Sequence, residues 1–231
     1  MLDRILDFFF PPSCPFCQEI LEDKVPVCKD CLPKLPFVPE NSCSICSRPI
    51  EEYSHHICAD CKSEKMYFSH SFASLIYKDM AKECAIALKT SHPYFAKGIA
   101  YLIADRILSS PHYTDFDFIT FVPQSPKGRR GRGYNQAQLI AKELSKLLKV
   151  PCSPFLKRTN DGDDQHTLGA TARKKNVRKC YFPTDKKCSG KVLLVDDIYT
   201  TGATANYCSY LLRKMGFDEV FLAIGFIRTR D

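Results

Sequence analysis

The chain of 231 residues has no tryptophan, and no apolar run in it approaches the ~20 residues that a membrane-spanning helix needs. The best N-terminal candidate, Leu2 to Phe10, is too short and is interrupted by Asp3, Arg4 and Asp7. The expectation is a protein that neither spans a membrane nor carries a secretory signal peptide. There is no G-x-x-x-x-G-K-[ST] loop and no G-x-G-x-x-G, so a P-loop or dinucleotide-binding fold has no support. No segment is low in complexity. Missing tryptophan does not mean a poor core: 16 Phe and 11 Tyr remain, and 45% hydrophobic against 26% charged residues is the balance of a folded chain. At ~100 to 200 residues per domain, this length suggests one domain with an appendage or two modest ones.

Cysteine is abundant and patterned. Eight of the 13 fall as four C-x-x-C pairs, Cys14/Cys17, Cys28/Cys31, Cys43/Cys46 and Cys58/Cys61. This is metal-ligand spacing, which points to a reducing compartment rather than a disulfide framework. Two such pairs about ten residues apart can place four thiolates around one zinc ion, and the spacing allows that twice. The shells would be closed, so both ions would be structural; pairing in sequence order or crossed pairing both remain open. The segment from 14 to 61 has no apolar run able to build its own core and needs such a staple. His55 and His56 read as surface residues beside a full cysteine set. Cys84, Cys152, Cys180, Cys188 and Cys208 are scattered and read as idle or buried thiols.

Charge is unevenly spread. Residues 1–122 carry a net −4, residues 123–191 carry +12 and residues 192–231 carry −1, which together give the formal +7. A middle third this basic suggests a polyanionic partner such as a phosphorylated metabolite or nucleic acid. Leu2, Ile5, Leu6 and Phe9 have helical spacing before Pro11 and Pro12, which predicts a docking helix over 1–12. A cysteine-rich module over 13–65 follows, then a domain over 66–231. In that domain strands at 71–77, 117–122, 190–195 and 219–226 alternate with helices at 79–89, 95–108, 135–148 and 201–215. This alternation predicts an α/β fold, a parallel sheet flanked by helices. The Gly- and Arg-rich stretch 123–133 reads as a loop.

The most informative run is VLLVDDIYTTGAT, Val192 to Thr204. An apolar strand delivers Asp196 and Asp197 to its carboxyl end, where ligands of open parallel sheets bind, and a Thr/Gly turn then opens a helix. Backbone N–H groups of Thr200, Thr201, Gly202, Ala203 and Thr204 can converge there on one phosphate. Two carboxylates beside an anion cradle would repel it unless they face sugar hydroxyls or a hard cation such as magnesium. A ribose bearing a 5-phosphate meets both demands. Tyr134, Asn135 and Gln136, at the start of the 135–148 helix, can cap it or touch a ligand.

This run resembles the phosphoribosyl-pyrophosphate signature of type I phosphoribosyltransferases. Tyr199 stands at an apolar position of that signature and leaves the turn intact. Together with the cysteine module, KGRRGRGYNQAQLIAKEL at 127–144, and Arg158, Gln165, Leu168, Arg173 and Asn176, it makes the whole chain similar to the ComF (ComFC) family of competence-associated phosphoribosyltransferase-like proteins. The resemblance implies a type I phosphoribosyltransferase-like sheet behind a small double zinc ribbon, in a cytoplasmic bacterial protein that handles single-stranded DNA during natural transformation, alongside other competence proteins. It also implies binding of phosphoribosyl pyrophosphate with magnesium. Asp196 and Asp197 would be the catalytic acids, at the ribose hydroxyls and magnesium, and Thr200, Thr201, Gly202, Ala203 and Thr204 would hold the 5-phosphate. Lys127, Arg129, Arg130 and Arg132 would face pyrophosphate or another polyanion. Arg158, Gln165, Arg173 and Asn176 fall in the polar segment 157–181, which is expected to form a flap over the site. Two functions remain: a phosphoribosyltransferase with an unknown nitrogen acceptor, or a nucleic-acid binder whose phosphoribosyl site is silent.

Overall fold

A computed structural model describes residues 12–21, 25–50, 56–159 and 177–229. The docking helix expected over 1–12, apart from Pro12, and Gln165, Leu168, Arg173 and Asn176 lie outside them. In chain order the elements are α1 (Ala59–Ser63), β1 (His70–Ile76), α2 (Asp79–Thr90), α3 (Ala96–Leu108), β2 (Phe118–Phe121), α4 (Pro126–Arg132), α5 (Gln136–Leu148), β3 (Leu156–Arg158), β4 (Tyr181–Pro183), β5 (Lys191–Tyr199), α6 (Ala203–Met215) and β6 (Glu219–Ile227). Four strands form a sheet in the order β1-β6-β5-β2, every neighbouring pair parallel. The expected fold class, a parallel sheet flanked by helices, is the one observed.

Continuous apolar runs make the central strands. Val192, Leu193, Leu194 and Val195 of β5 are all fully buried, as a strand covered on both faces requires. On one face Leu193 and Val195 pack with α2, α3 and α5 residues such as Leu88, Ile103 and Ile140. On the other, Val192 and Leu194 pack with Cys208 and Leu212 of α6 and with Phe155 and Tyr181 beside β3 and β4.

The cysteine-rich segment straddles the edge of this sheet. Between its two halves, the Val38 N–H donates to Ser74 O, and the Ile76 N–H donates to Pro36 O, so this short linker caps the open edge of β1. The first half packs on one face: a Cβ added to Gly98 of α3 would lie 2.7 Å from Pro15 Cγ. The second half joins the opposite layer, where Cys43, Cys46 and Cys61 pack with Ala73 and Tyr199.

Two segments depart from the sequence expectation. Residues 126–132, expected as part of a loop, form α4. Pro126 opens its first turn, Ser125 Oγ accepts from the Gly128 N–H at 3.1 Å, and Gly133 closes it at φ 81°. Local capping thus outweighs the weak helix propensity of Gly128 and Gly131. The polar segment 157–181, expected to lack regular structure except around Thr171 to Lys179, is bounded by β3 and β4, which pair antiparallel through Leu156–Pro183, Lys157–Phe182 and Arg158–Tyr181. Three-residue strands leave almost no periodicity in a sequence, and this pairing closes only in three dimensions.

Candidate functional site

The eight patterned cysteines form two separate groups, Cys14/Cys17/Cys28/Cys31 and Cys43/Cys46/Cys58/Cys61, with the sulfurs of each within 4.8 Å of one another. Pairing therefore follows sequence order. The Cys17–Cys28 and Cys46–Cys58 sulfurs are both 3.7 Å apart. A tetrahedron of sulfurs about 2.3 Å from zinc has edges of about 3.8 Å, so the spacing fits the ion. Against burial, which raises it, backbone N–H groups of Cys28, Cys17 and Phe16 bring the Cys14 thiol down to about 7. Bonds from the Cys46 and Cys61 thiols draw Cys43 far below the ordinary thiol range. Both groups are structural zinc sites. His56, next to the second, is exposed as expected.

At the carboxyl end of β5 the acids emerge from the core. Asp196 and Asp197 are half-buried; Asp196 Oδ1 accepts from the Asp197 N–H at 3.0 Å, and Asp197 Oδ1 from the Ile198 N–H at 2.9 Å. Burial, followed by the charge of Asp197, pushes the Asp196 carboxyl well above the usual carboxylate range. The chain then turns at Gly202 (φ 77°), which stands at the N-cap of α6 and supplies no capping side chain. At the first turn of α6 the Ala203 N–H donates to Thr201 Oγ1 at 3.4 Å, whereas at the start of α5 Asn135 Oδ1 accepts from the Gln138 N–H. Asp196, Ile198, Tyr199 and residues 200–205 line one small concavity.

The basic residues lie on the neighbouring strand's continuation. Phe121 pairs with Val195, and the Val122 N–H donates to Val195 O at 2.9 Å, which brings the end of β2 beside Asp196. Four residues after Val122, at Pro126, α4 begins, carrying exposed Lys127, Arg129 and Arg130 and half-buried Arg132. Tyr134, Asn135 and Gln136 serve the frame: the Tyr134 hydroxyl donates to Leu88 O, the Asn135 amide to Val122 O and the Gln136 amide to Lys89 O. Of the flap residues, Arg158 sits on β3 with its guanidinium 5.2 Å over the Tyr181 ring.

Three features escaped the sequence reading. The Gln124 amide, just past β2, is buried and has no hydrogen-bond partner among the described residues. Tyr67, Tyr207 and Tyr210, with Glu64, Arg178, Ala203 and Asn206, line a cavity of ≈ 390 Å³ that reaches the start of α6. Tyr207 and Tyr210 stack at 5.8 Å, an i, i+3 pair on α6, and Tyr67 meets Tyr210 edge-on at 5.0 Å. Arg48, between two cysteine pairs, reaches the turn after β5. The i, i+3 tyrosines were visible in the sequence, but nothing there brings Tyr67 to them or Arg48 to Thr200.

The architecture defines an α/β protein with a double zinc ribbon at its N-terminal end, and the double zinc ribbon domain family matches residues 5–62. The chain is 26% identical to Competence protein F of Haemophilus influenzae, over 84% of its length and 93% of that protein's. It is 27% identical to Competence protein ComFC of Bacillus subtilis, covering 85% and 82% of the two chains, and 26% identical to DNA utilization protein YhgH of Escherichia coli, covering 77% and 86%. Similar solved structures include an adenine phosphoribosyltransferase, with a TM-score of 0.37 and 19% identity over 60% of this chain and 72% of that one. Another is the glutamine phosphoribosylpyrophosphate amidotransferase of B. subtilis, with a TM-score of 0.39 and 19% identity over 56% and 26%. Over most of its length the chain is thus similar to proteins named for competence and DNA utilization.

Proposed function

We propose that this protein binds phosphoribosyl pyrophosphate with magnesium at the end of β5 and takes part in handling single-stranded DNA during transformation. The observation that carries the first half is the run from buried β5 through Asp196 and Asp197 to the Gly202 turn, where Asp196 and residues 200–205 line one concavity. The N–H groups of residues 200–204 donate to the 5-phosphate oxygens, while Asp196 and Asp197 accept from the ribose hydroxyls and hold magnesium. Such a cation offsets the charge that gathers on departing pyrophosphate. Lys127, Arg129, Arg130 and Arg132 add fixed positive charge on the side of the leaving group as C1 gains oxocarbenium character. The flap residues Gln165, Arg173 and Asn176 belong to this reading on the resemblance alone.

If a nitrogen nucleophile attacks C1, its new bond replaces the bond to pyrophosphate, with inversion. The test is calorimetry with phosphoribosyl pyrophosphate and magnesium, followed by pyrophosphate release assayed across a panel of nitrogen acceptors. Saturable, magnesium-dependent binding that Asp196→Ala with Asp197→Ala abolishes supports the donor site. No binding in the unaltered protein refutes it. Binding without turnover of any acceptor selects the silent-site alternative.

The DNA half is supported by the names of the competence and DNA-utilization relatives, by the exposed cations of α4 and by the tyrosine cavity. Lys65 lies 5.3 Å over the Tyr67 ring and Lys214 6.0 Å over Tyr210. Aromatic faces rimmed by cations are what unpaired bases and their phosphates require.

A further inference from the structure

The second zinc site and the turn after β5 are separated by about 150 residues of chain, yet one side chain joins them. Arg48 follows Cys46 by two residues and is only 9% exposed in its side chain. One guanidinium nitrogen donates to Asp60 Oδ2 at 2.6 Å, and the other donates to Thr200 O at 2.7 Å. Its guanidinium carbon lies 5.8 Å from the centre of the Tyr199 ring. Asp60 is itself on α1, between Cys58 and Cys61. The Arg48–Asp60 pair therefore bridges the same two pieces of chain that the second group of sulfurs holds together, the Cys43–Cys46 turn and the Cys58–Cys61 helix.

We infer that Arg48 is a positioning residue, through which the second zinc site sets the shape of the anion-binding turn. The geometry supplies the mechanism. In a trans peptide the C=O and the following N–H point in opposite directions. Fixing the Thr200 carbonyl toward Arg48 therefore fixes the Thr201 N–H away from it. The peptide plane cannot rotate without breaking a charge-assisted bond to a guanidinium that is largely buried. Tyr199 completes the support: it is 3% exposed, lies beneath the guanidinium, and its ring fills the space where a Cβ on Gly202 would be. Arginine suits this place because its planar fork aims a separate nitrogen at each acceptor, whereas lysine carries its three donors on one nitrogen at the end of a flexible stem. Zinc enters only as the clamp that keeps Arg48 and Asp60 in register.

The effect on ligand affinity rests on the proposed donor site, whereas the effect on the order of the turn does not. The test uses Arg48→Gln and Arg48→Lys in the full-length zinc-loaded protein, with three measurements: zinc per chain, amide hydrogen exchange over residues 200–204, and binding of phosphoribosyl pyrophosphate with magnesium. Two zinc ions per chain should remain in both variants. Exchange over 200–204 should accelerate at least about tenfold in Arg48→Gln, relative to the core of β5 in the same molecule, and less in Arg48→Lys. Donor affinity should fall by about tenfold, or about 1.4 kcal/mol. Asp60→Asn, which keeps shape and loses charge, should move exchange in the same direction by a smaller factor. Unchanged exchange over 200–204 in Arg48→Gln overturns the inference. Faster exchange in a protein that never binds the donor upholds the link and removes the donor reading instead.

Discussion

A Cβ placed on Gly202 would lie 2.2 Å from the Tyr199 hydroxyl oxygen and 2.6 Å from Cζ of the same ring. With a φ of 77°, Gly202 is also in a region that costs an alanine ~1–2 kcal/mol before any clash. Tyr199 is packed in place and cannot swing aside cheaply. Gly202→Ala should lower stability by at least ~1–2 kcal/mol in urea denaturation and should eliminate donor binding. Adding Tyr199→Phe, which removes the nearest atom, should restore part of the stability. A Gly202→Ala protein of unchanged stability and affinity would disprove the account of the turn.

Asp196 supplies a pH signature. Its carboxyl is pushed upward in the folded protein by burial and then by Asp197, so the neutral form is favoured there. A carboxyl with a raised folded value contributes stability at low pH and loses it as pH rises above the ordinary carboxylate value of ~3.9. Thermal melts without magnesium from pH 4 to 8 should show Asp196→Asn gaining on the unaltered protein as pH rises, with the two curves converging at the acidic end. A gap that stays constant with pH would rule this out.

The two elements assigned to DNA should be separable by salt. Arg129→Gln with Arg130→Gln should flatten the slope of log affinity against log salt for oligo(dT) by about one unit per lost phosphate contact. Tyr207→Ala should weaken binding by ~1–3 kcal/mol, as loss of a base stack does, with the slope unchanged. Tyrosine variants that bind as tightly as the parent would remove the cavity from the DNA path.

His70 offers a second pH test at the junction of zinc module and sheet. Its ring Nδ1 is 2.5 Å from Ser44 O and stacks 4.2 Å from His112. Burial, with smaller contributions from the charges of His112 and Arg106, lowers it to about 4. The unfolded chain takes up this proton near 6.5, so stability is present above 6.5 and is lost as pH falls toward 4. Denaturant titrations should show a loss of order 1–3 kcal/mol across that window, and His70→Gln should remove it. If the loss persists in His70→Gln, another group is responsible.

The parallel sheet was legible because β5 and β6 are continuous apolar runs, a pattern that burial on both faces imposes on a sequence. The zinc sites were legible because four thiolates must come from short turns, and C-x-x-C is the spacing a turn allows. Asp196, Asp197 and the Gly202 turn were legible for a similar reason: the strand end, the two acids and the turn lie within thirteen consecutive residues. The helix at 126–132 was missed because its glycines outweighed a Ser-Pro start in the reading. β3 and β4 were missed because three residues carry no period.

Local chemistry, then, was determined by the sequence alone: which cysteines can share a metal, which carboxylates leave a buried strand together, where a chain can turn with positive φ. Such properties depend on neighbours a few residues away and are written into spacing. The tertiary structure decided what lies against them. Only folding chose sequential over crossed pairing of the cysteines, laid the Pro36–Val38 linker along the edge of β1, gathered Tyr67 with Tyr207 and Tyr210, and brought Arg48 onto the carbonyl of Thr200. Contacts between residues this far apart are selected by packing of the whole core, and no short stretch of sequence encodes them.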